Sequence, residues 1–357
     1  MIFKEITFNK YVCKIIFLIS YLLYVLNNSV EFNHVISLEY KHGLFICIAL
    51  ISLLYKTDEA IKSAIVVLPI TMIYIFGGIL PYAVMSIVFA LSLPIIWMGV
   101  SSIILSDGKK IIVLMIIISL IPALSSQAFL FENGLFDTTY GRPRMLLGYI
   151  HPKEAAICFF IPLFLSLLAY KTSNVLAWFS VFIFLWLVGS RNIALAFILA
   201  WFLRQYGYLM KFLILPIAII GSLFLINIDS WFNEVDQLTS LRLSHWVNML
   251  NNSEILNDIN YSSGERFGGD NFFVEVLSIS GFFGAIMLFL WILEIFFILR
   301  IKNKNYHWPW ICFIMLIFVS FFDSGIVSTG NMIHVLLWSI IVSPIYNKYS
   351  FRINKAN

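Results

Sequence analysis

The chain has 357 residues, of which 61% are hydrophobic and 12% are charged. This composition excludes a water-soluble globule, because too few polar side chains are present to cover its surface. The four cysteines lie singly within apolar runs, without metal-ligand or CxxC spacing, so we expect no disulfide framework. The net charge of +4 implies no nucleic-acid partner, since most basic residues lie where a membrane topology requires them.

The apolar stretches of the chain predict transmembrane helices. The first follows a basic flank like that of a signal sequence but lacks a small-residue cleavage site, so we expect it to be retained. Several stretches are shorter than the roughly 20 residues that span a hydrocarbon core, so they recruit flanking polar residues or one pair is re-entrant. The sequence thus predicts an all-α, polytopic transmembrane helical bundle of about 12 spans, forming a single integral membrane domain over residues 1–357. The stretches are 11–27, 43–55, 63–79, 81–105, 111–130, 155–170, 175–189, 193–203, 212–228, 272–299, 309–322 and 332–346.

The distribution of basic residues predicts the orientation, because short cytoplasmic loops carry most of the Lys and Arg of a polytopic protein. With a cytoplasmic N-terminus, 16 of the 23 basic residues fall in cytoplasmic segments. We therefore expect a location in the cytoplasmic (inner) membrane with both termini in the cytoplasm. Five of the seven outer basic residues are arginines, and arginine is the residue suited to bidentate binding of phosphate. The outer set is Lys41, Arg142, Arg144, Lys153, Arg191, Arg242 and Arg266.

Two outer segments are long enough to carry a site. They are residues 131–154, the first outer loop, and residues 229–271, the large outer loop, which we expect to carry short interfacial helices. About forty residues cannot build a soluble domain of ordinary size. The chemistry is therefore expected at the membrane surface, on these loops and the neighbouring helix ends.

The first outer loop ends in YGRPRMLLGYIHPKEAA. Pro143 favours extended backbone at Arg142, and side chains two apart on extended backbone point the same way, so Arg142 and Arg144 could share one anion. His151 precedes Pro152, a preferred first helical residue, so we expect a helix to begin there with its positive dipole end outward. The alternative is that the arginines bind lipid headgroups and His151 only caps the helix.

Arg191 interrupts two apolar runs within GSRNIALAFI. A cation between two short spans is costly unless it is paired, hydrated or functional. The following helix begins at the outer face, so Arg191 stands beside backbone N–H groups able to receive an anion. The alternative is a hairpin loop in which Arg191 snorkels to water.

The large outer loop contains LTSLRLSHWVNML, in which apolar residues recur at helical spacing. Arg242 and His245 share another face, so the pattern predicts a helix lying in the membrane interface. The alternative is a passive amphipathic anchor with Trp246 at headgroup level.

The same loop closes with GERFGGDNFFVEVLSISGFFG, whose glycines loosen the backbone. Asp270 or Asn271 is suited to cap the long helix that follows, and capping is the alternative to a catalytic role for Asp270. Glu275, Glu294 and Asp323 lie near or within spans, but their spacing assembles neither a metal site nor a proton relay.

These motifs resemble the O-antigen and capsular polysaccharide polymerases, usually called Wzy, within the wider group that includes the O-antigen ligases. The resemblance covers about residues 140 to 290 and rests on four features: Arg followed by GYIHP before a membrane helix, GSR between two spans, Arg242 and Trp246 in the large outer loop, and DN followed by an apolar helix with GFFG. Family members often have Asn after the His-Pro pair, where Lys153 and Glu154 stand here. The ligase branch has His before the Asn that opens the helix after the large outer loop, and Asp270 at that position favours a polymerase.

The resemblance implies glycosyl transfer at the outer face of the cytoplasmic membrane. A growing chain leaves its undecaprenyl diphosphate carrier and joins a sugar hydroxyl of a new lipid-linked repeat unit. Asp270, or failing it His151 or His245, is the candidate general base. No metal or other cofactor is expected, because arginines and helix N-termini can carry the charge of the leaving group. The residues expected to bind the diphosphates are Arg191, Arg242, Arg142, Arg144 and Arg266.

The expected partners are the undecaprenyl-diphosphate-linked oligosaccharide, membrane lipids, a chain-length regulator and a flippase. The alternative functions are a lipid-linked oligosaccharide flippase or transporter, and an O-antigen ligase. A transporter places ionisable residues near the bilayer midplane, whereas this chain gathers arginines at one face, which favours the polymerase. A membrane scaffold without activity leaves the outer arginines unexplained.

Overall fold

The computed structural model describes residues 10–35, 38–105, 108–126, 136–137, 144–145, 147–169, 175–188, 191–206, 271–302, 308–321, 326–329 and 331–346. In chain order, these residues form α1 (Lys10–Asn27), α2 (Leu38–Tyr55), α3 (Thr57–Phe76), α4 (Leu80–Leu105), α5 (Gly108–Ser125), β1 (Phe136–Asp137), β2 (Arg144–Met145), α6 (Pro152–Ala169), α7 (Val175–Leu187), α8 (Arg191–Tyr206), α9 (Phe272–Lys302), α10 (Trp308–Ser320), α11 (Met332–Ile341) and a 3-10 helix (Ser343–Ile345). The predicted helical class is confirmed for this part of the chain, and β1 and β2 form only a two-residue antiparallel pair.

Five of the described helices are long and apolar enough to cross a membrane by their length and composition. Many of their large apolar side chains point outward, as lipid-facing side chains do. These helices agree with a membrane protein, and the total of about 12 spans stays a prediction. The predicted span 212–228 lies outside the described residues. The five are Lys10–Asn27, Thr57–Phe76, Leu80–Leu105, Gly108–Ser125 and, within α9, Ile279–Arg300.

Helix α4 lies at the centre of the N-terminal half and packs against α1, α2 and α3. A Cβ added at Gly99 would lie 2.5 Å from the carbonyl oxygen of Cys13, so only glycine permits this close approach of α4 to α1. Buried hydroxyls of α4 bond within their own helix, as Ser92 does to the Phe89 carbonyl oxygen at 2.7 Å, and the Ser86 hydroxyl also lies 2.7 Å from that of Thr71 on α3. This satisfies polar groups that would otherwise be costly in an apolar core.

Helix α9 packs along α3 and departs from regular geometry at Gly281, whose φ of 51° and ψ of −137° break the helix in two. The sequence predicted one uninterrupted stretch over 272–299, and the structure divides it near its beginning. The Ser280 hydroxyl donates to the Ile73 carbonyl oxygen at 2.8 Å. A Cβ added at Gly77, at the end of α3, would lie 2.0 Å from Ile279 Cγ2. The absence of a side chain at Gly77 therefore leaves space for the kinked segment of α9.

Helices α6 and α8 pack side by side and run in the same direction. The rings of Phe160 and Phe197 lie 6.1 Å apart at 81°. Further along both helices, the Arg204 guanidinium donates to the Leu167 carbonyl oxygen at 2.7 Å and lies 5.4 Å from the ring of Trp308. The hydrogen bond joins residues 37 positions apart, and the ring pair has the same separation. Two contacts with one separation establish a parallel register along both helices.

Candidate functional site

The GYIHP segment is held against the ends of α1 and α5. Gly148 has a φ of +75°, and a Cβ there would lie 2.2 Å from the Pro122 carbonyl oxygen. The buried Tyr149 hydroxyl donates to the Ser119 carbonyl oxygen at 2.8 Å. The Ile150 N–H donates to the Asn28 carbonyl oxygen at 3.0 Å. Glycine therefore permits the close approach, and the next two residues attach the segment to α5 and α1.

The predicted helix start at Pro152 is confirmed. The His151 carbonyl oxygen accepts hydrogen bonds from the Glu154 and Ala155 N–H groups at 3.1 and 3.3 Å, and His151 itself is exposed. Proline suits the first helical position, because its missing N–H is not needed there. His151 thus stands at the N-terminus of α6, where the positive end of the helix dipole favours an anion.

A polar cluster, formed by the buried Tyr24 and Lys41 with the half-buried Glu154, joins α1, α2 and α6. The Tyr24 hydroxyl donates to Glu154 Oε2. The Lys41 ammonium lies 4.7 Å from the centre of the Tyr24 ring, and Lys41 is only 3% exposed. A buried lysine requires compensating negative charge and ring contacts, and Glu154 and Tyr24 provide both.

Lys41 precedes the apolar stretch that begins at residue 43, and its surroundings alter its acidity. Burial lowers the pKa of Lys41 from 10.5 to about 8. The negative charge of Glu154 acts in the opposite direction and favours the ammonium form. Lys41 in turn adds to burial in lowering the pKa of the neighbouring His42. Loss of the Lys41 charge therefore falls within a pH range accessible to experiment.

The parallel register of α6 and α8 brings the beginning of α8 level with the beginning of α6. Arg191, the first residue of α8, follows Glu154 by the same separation as that of the two contact pairs further along. Two helix N-termini are therefore adjacent and point in the same direction. Their dipoles add, which makes this end of the helix pair favourable for an anion.

Further contacts bring other helix ends to the same side of the bundle. His42 Nδ1 and the Thr329 hydroxyl lie 2.9 Å apart, which joins the start of α2 to the segment before α11. The rings of Phe273 and Phe321 lie 4.5 Å apart, which joins the start of α9 to the end of α10. At the opposite side, the Ser63 and Tyr346 hydroxyls lie 2.6 Å apart. In each of these three pairs, both partners belong to segments that the predicted topology places on the same side of the membrane. Which of the two sides is the outer one stays a prediction.

The helix after the large outer loop is capped by Asn271. Its Oδ1 accepts hydrogen bonds from the Phe273 and Val274 N–H groups at 2.9 and 3.2 Å, and Asn271 is buried. Of the two candidate caps predicted from the sequence, Asn271 therefore has the capping geometry. One turn later, Glu275 is 3% exposed and donates its N–H to the Asn271 carbonyl oxygen at 3.0 Å.

Several predicted site residues lie outside the described part of the chain: Arg142, Arg242, His245, Arg266 and Asp270. Their roles stay predictions. Arg144 lies in β2, where the backbone register places it opposite Asp137 of β1. Extended backbone at Arg144 agrees with the extended Arg142–Arg144 segment expected from the sequence.

Sequence reasoning missed the cluster of Tyr24, Lys41 and Glu154. The sequence places Lys41 among the outer basic residues, and Glu154 enters only as a departure from the family pattern after the His-Pro pair. Tyr24 is one aromatic residue among many in the first apolar stretch. The available signal was Lys41 itself, the one outer cation in its loop and next to an apolar stretch, where an unpaired charge is costly.

Comparison with protein families, with curated proteins and with solved structures finds no significant match to this chain.

Proposed function

We propose that this protein is a membrane glycosyltransferase that polymerises undecaprenyl-diphosphate-linked oligosaccharide repeat units, as the Wzy-like motifs imply. It acts at the outer face of the cytoplasmic membrane, with both termini in the cytoplasm. In the reaction, a hydroxyl oxygen of the acceptor sugar forms a bond to the anomeric carbon of the growing chain. The bond from that carbon to the diphosphate breaks, the hydroxyl proton passes to a general base, and undecaprenyl diphosphate leaves.

One observation supports the proposal most strongly, namely the parallel packing of α6 and α8. It brings Arg191, within the GSR motif, level with Glu154, one turn after His151 of the GYIHP motif. Two motifs that are 40 residues apart in sequence thereby contribute to one end of the bundle. A reaction that expels a diphosphate needs such a concentration of positive potential where the charge develops.

Arginine suits the departing diphosphate, because its planar guanidinium binds two phosphate oxygens at once. We assign this role to Arg191, with Arg142 and Arg144 of the first outer loop steering the carrier towards it. The large outer loop contributes Arg242 and Arg266. The general base is Asp270, or failing it His151 or His245 of the predicted interfacial helix.

The proposal is tested with purified protein in lipid vesicles and a chemically defined undecaprenyl-diphosphate-linked repeat unit. A polymerase produces a ladder of lipid-linked products that differ by one repeat unit, with one undecaprenyl diphosphate released per bond formed. A flippase or transporter, the alternative, moves the lipid-linked unit across the bilayer without lengthening it. Translocation without elongation, or neither activity in correctly folded protein, contradicts the proposal.

A further inference from the structure

Glu154 is an acidic residue at a place where the proposed function needs positive charge. It lies in the first turn of α6, three residues after His151 and level with Arg191. A carboxylate there repels a diphosphate, and the repulsion is strong where protein and lipid exclude water. A site built to bind a diphosphate at this end of α6 therefore requires a cation that offsets the charge of Glu154.

Lys41 has the position and the burial for that task. Its ammonium lies against the ring of Tyr24, whose hydroxyl donates to Glu154 Oε2, so Tyr24 contacts both charged groups. Lys41 is 3% exposed and Glu154 is half-buried, so solvent and salt screen their interaction less than they screen a surface ion pair. A surface lysine would contribute far less.

We propose that Lys41 neutralises Glu154 through the Tyr24-centred cluster and thereby allows a diphosphate to bind at the adjacent starts of α6 and α8. Tyr24 is a positioning residue in this arrangement, because it holds the carboxylate in place without touching the diphosphate. The inference rests on the proposed function and adds to it a requirement for charge compensation from α2.

The groups around Lys41 come from three helices. Glu154 and Cys158 belong to α6, Tyr24 belongs to α1, and His42 follows Lys41 on α2. The Cys158 thiol is fully buried. Among these described neighbours, Glu154 is the carboxylate, and its negative charge favours the ammonium form of Lys41.

The test measures binding of undecaprenyl diphosphate, without sugars, to purified protein in detergent, with undecaprenol as the uncharged control. We expect Lys41→Met to weaken undecaprenyl diphosphate binding by on the order of tenfold, because Glu154 is left uncompensated. Undecaprenol binding should stay the same. Glu154→Gln preserves the shape and the acceptor oxygen for Tyr24, and it should strengthen undecaprenyl diphosphate binding by several-fold.

The double variant Lys41→Met with Glu154→Gln removes both charges and should restore the dissociation constant to within about twofold of the parent value. Thermal unfolding of each variant gives the folded fraction, to which every dissociation constant is referred. A purely structural cluster changes the unfolding temperature and leaves the dissociation constant of the folded protein unchanged.

Two results overturn the inference. One is an unchanged dissociation constant for both single variants, and the other is a folded double variant that binds as weakly as Lys41→Met. If Lys41→Met is unstable, Glu154→Gln alone decides the matter, since unaltered binding by this variant also contradicts the inference. If the variants bind undecaprenyl diphosphate normally and the parent protein elongates repeat units, the inference fails and the proposed function stands. Parent protein that neither binds undecaprenyl diphosphate nor elongates overturns both.

Discussion

Arg204 of α8 donates from its guanidinium to the Leu167 carbonyl oxygen of α6 at 2.7 Å, and this bond sets the register of the two helices at the end opposite the proposed site. Together with the contact of Phe160 and Phe197, it keeps the helix starts level. The bond from a cation to a backbone carbonyl is of the stronger kind, worth about 1.5–3 kcal/mol. Arg204 therefore supports the site from a distance without contacting it.

Removal of this bond should shift the register. We expect Arg204→Met to lower the unfolding temperature in detergent and to reduce the elongation rate severalfold, because a small displacement at the site is costly for catalysis. Arg204→Lys retains a donor and should lose less. The control is Arg300→Met, which removes an exposed arginine of α9. Equal losses at both positions would contradict a specific role for the Arg204 bond.

Gly148 should tolerate no side chain. Gly148→Ala introduces a Cβ within 2.2 Å of the Pro122 carbonyl oxygen at a φ of +75°, so we expect a loss of stability of about 2 kcal/mol or more. Gly78 has a similar φ of +74° with nothing within 4 Å of an added Cβ. Gly78→Ala therefore measures backbone strain without a steric clash. Gly43→Ala lies in open space within α2 and introduces neither backbone strain nor a clash. The expected order of unfolding temperatures is Gly43→Ala highest, then Gly78→Ala, then Gly148→Ala.

The pH dependence of stability and of undecaprenyl diphosphate binding should differ in sign. Between pH about 8 and 10.5, the folded protein has lost the Lys41 proton that the unfolded chain still holds, so Lys41 makes the free energy of unfolding rise with pH. Over the same range, the neutral amine no longer offsets Glu154, so binding should weaken with an apparent pKa near 8. Lys41→Arg keeps its charge throughout and should remove the weakening. An identical alkaline profile in Lys41→Arg would exclude Lys41 as its source.

The identity of the general base is decided by conservative substitution. Asp270→Asn keeps a side-chain oxygen and the shape while removing the charge, and we expect it to abolish elongation with little effect on undecaprenyl diphosphate binding. The cap of α9 comes from Asn271, so this substitution leaves the helix start in place. Elongation at the parent rate would transfer the role to His151 or His245, which are then tested by substitution with Gln.

The sequence predicted those features that depend on local chemistry. The stretch 81–105 corresponds to α4 at Leu80–Leu105, because uninterrupted apolar composition determines a span wherever it lies. The start of α6 at Pro152 follows from the fixed φ of proline and its missing N–H. These predictions required no knowledge of neighbouring helices.

Features that depend on tertiary packing were not predictable in this way. Lys41 is buried because Tyr24 and Glu154 reach it from two other helices, and Glu154 is 130 residues from Tyr24 in sequence. The break at Gly281 follows from packing of α9 on the end of α3 near Gly77, which a hydropathy pattern does not contain. The common level of Glu154 and Arg191 required the register of α6 and α8.

The large outer loop supplies a second predicted phosphate ligand. Arg242→Lys preserves the charge but loses the planar guanidinium that binds two phosphate oxygens at once. We therefore expect short polymer products, although the protein inserts into the membrane at its normal level. Polymer length on a gel, together with the protein level in the membrane fraction, measures this outcome. Parent-length polymer from this variant would remove Arg242 from the site.

The central claim is that the helix start at Arg191 binds the diphosphate of a lipid-linked repeat unit during polymerisation. Its most direct test is the elongation rate of purified Arg191→Lys protein in vesicles, compared with Arg300→Lys as the matched control at the other end of the bundle. The account predicts a loss of at least about a hundredfold for Arg191→Lys, because the lost contacts act on the departing diphosphate, and no loss for Arg300→Lys. Equal, parent-like elongation by both variants would contradict it.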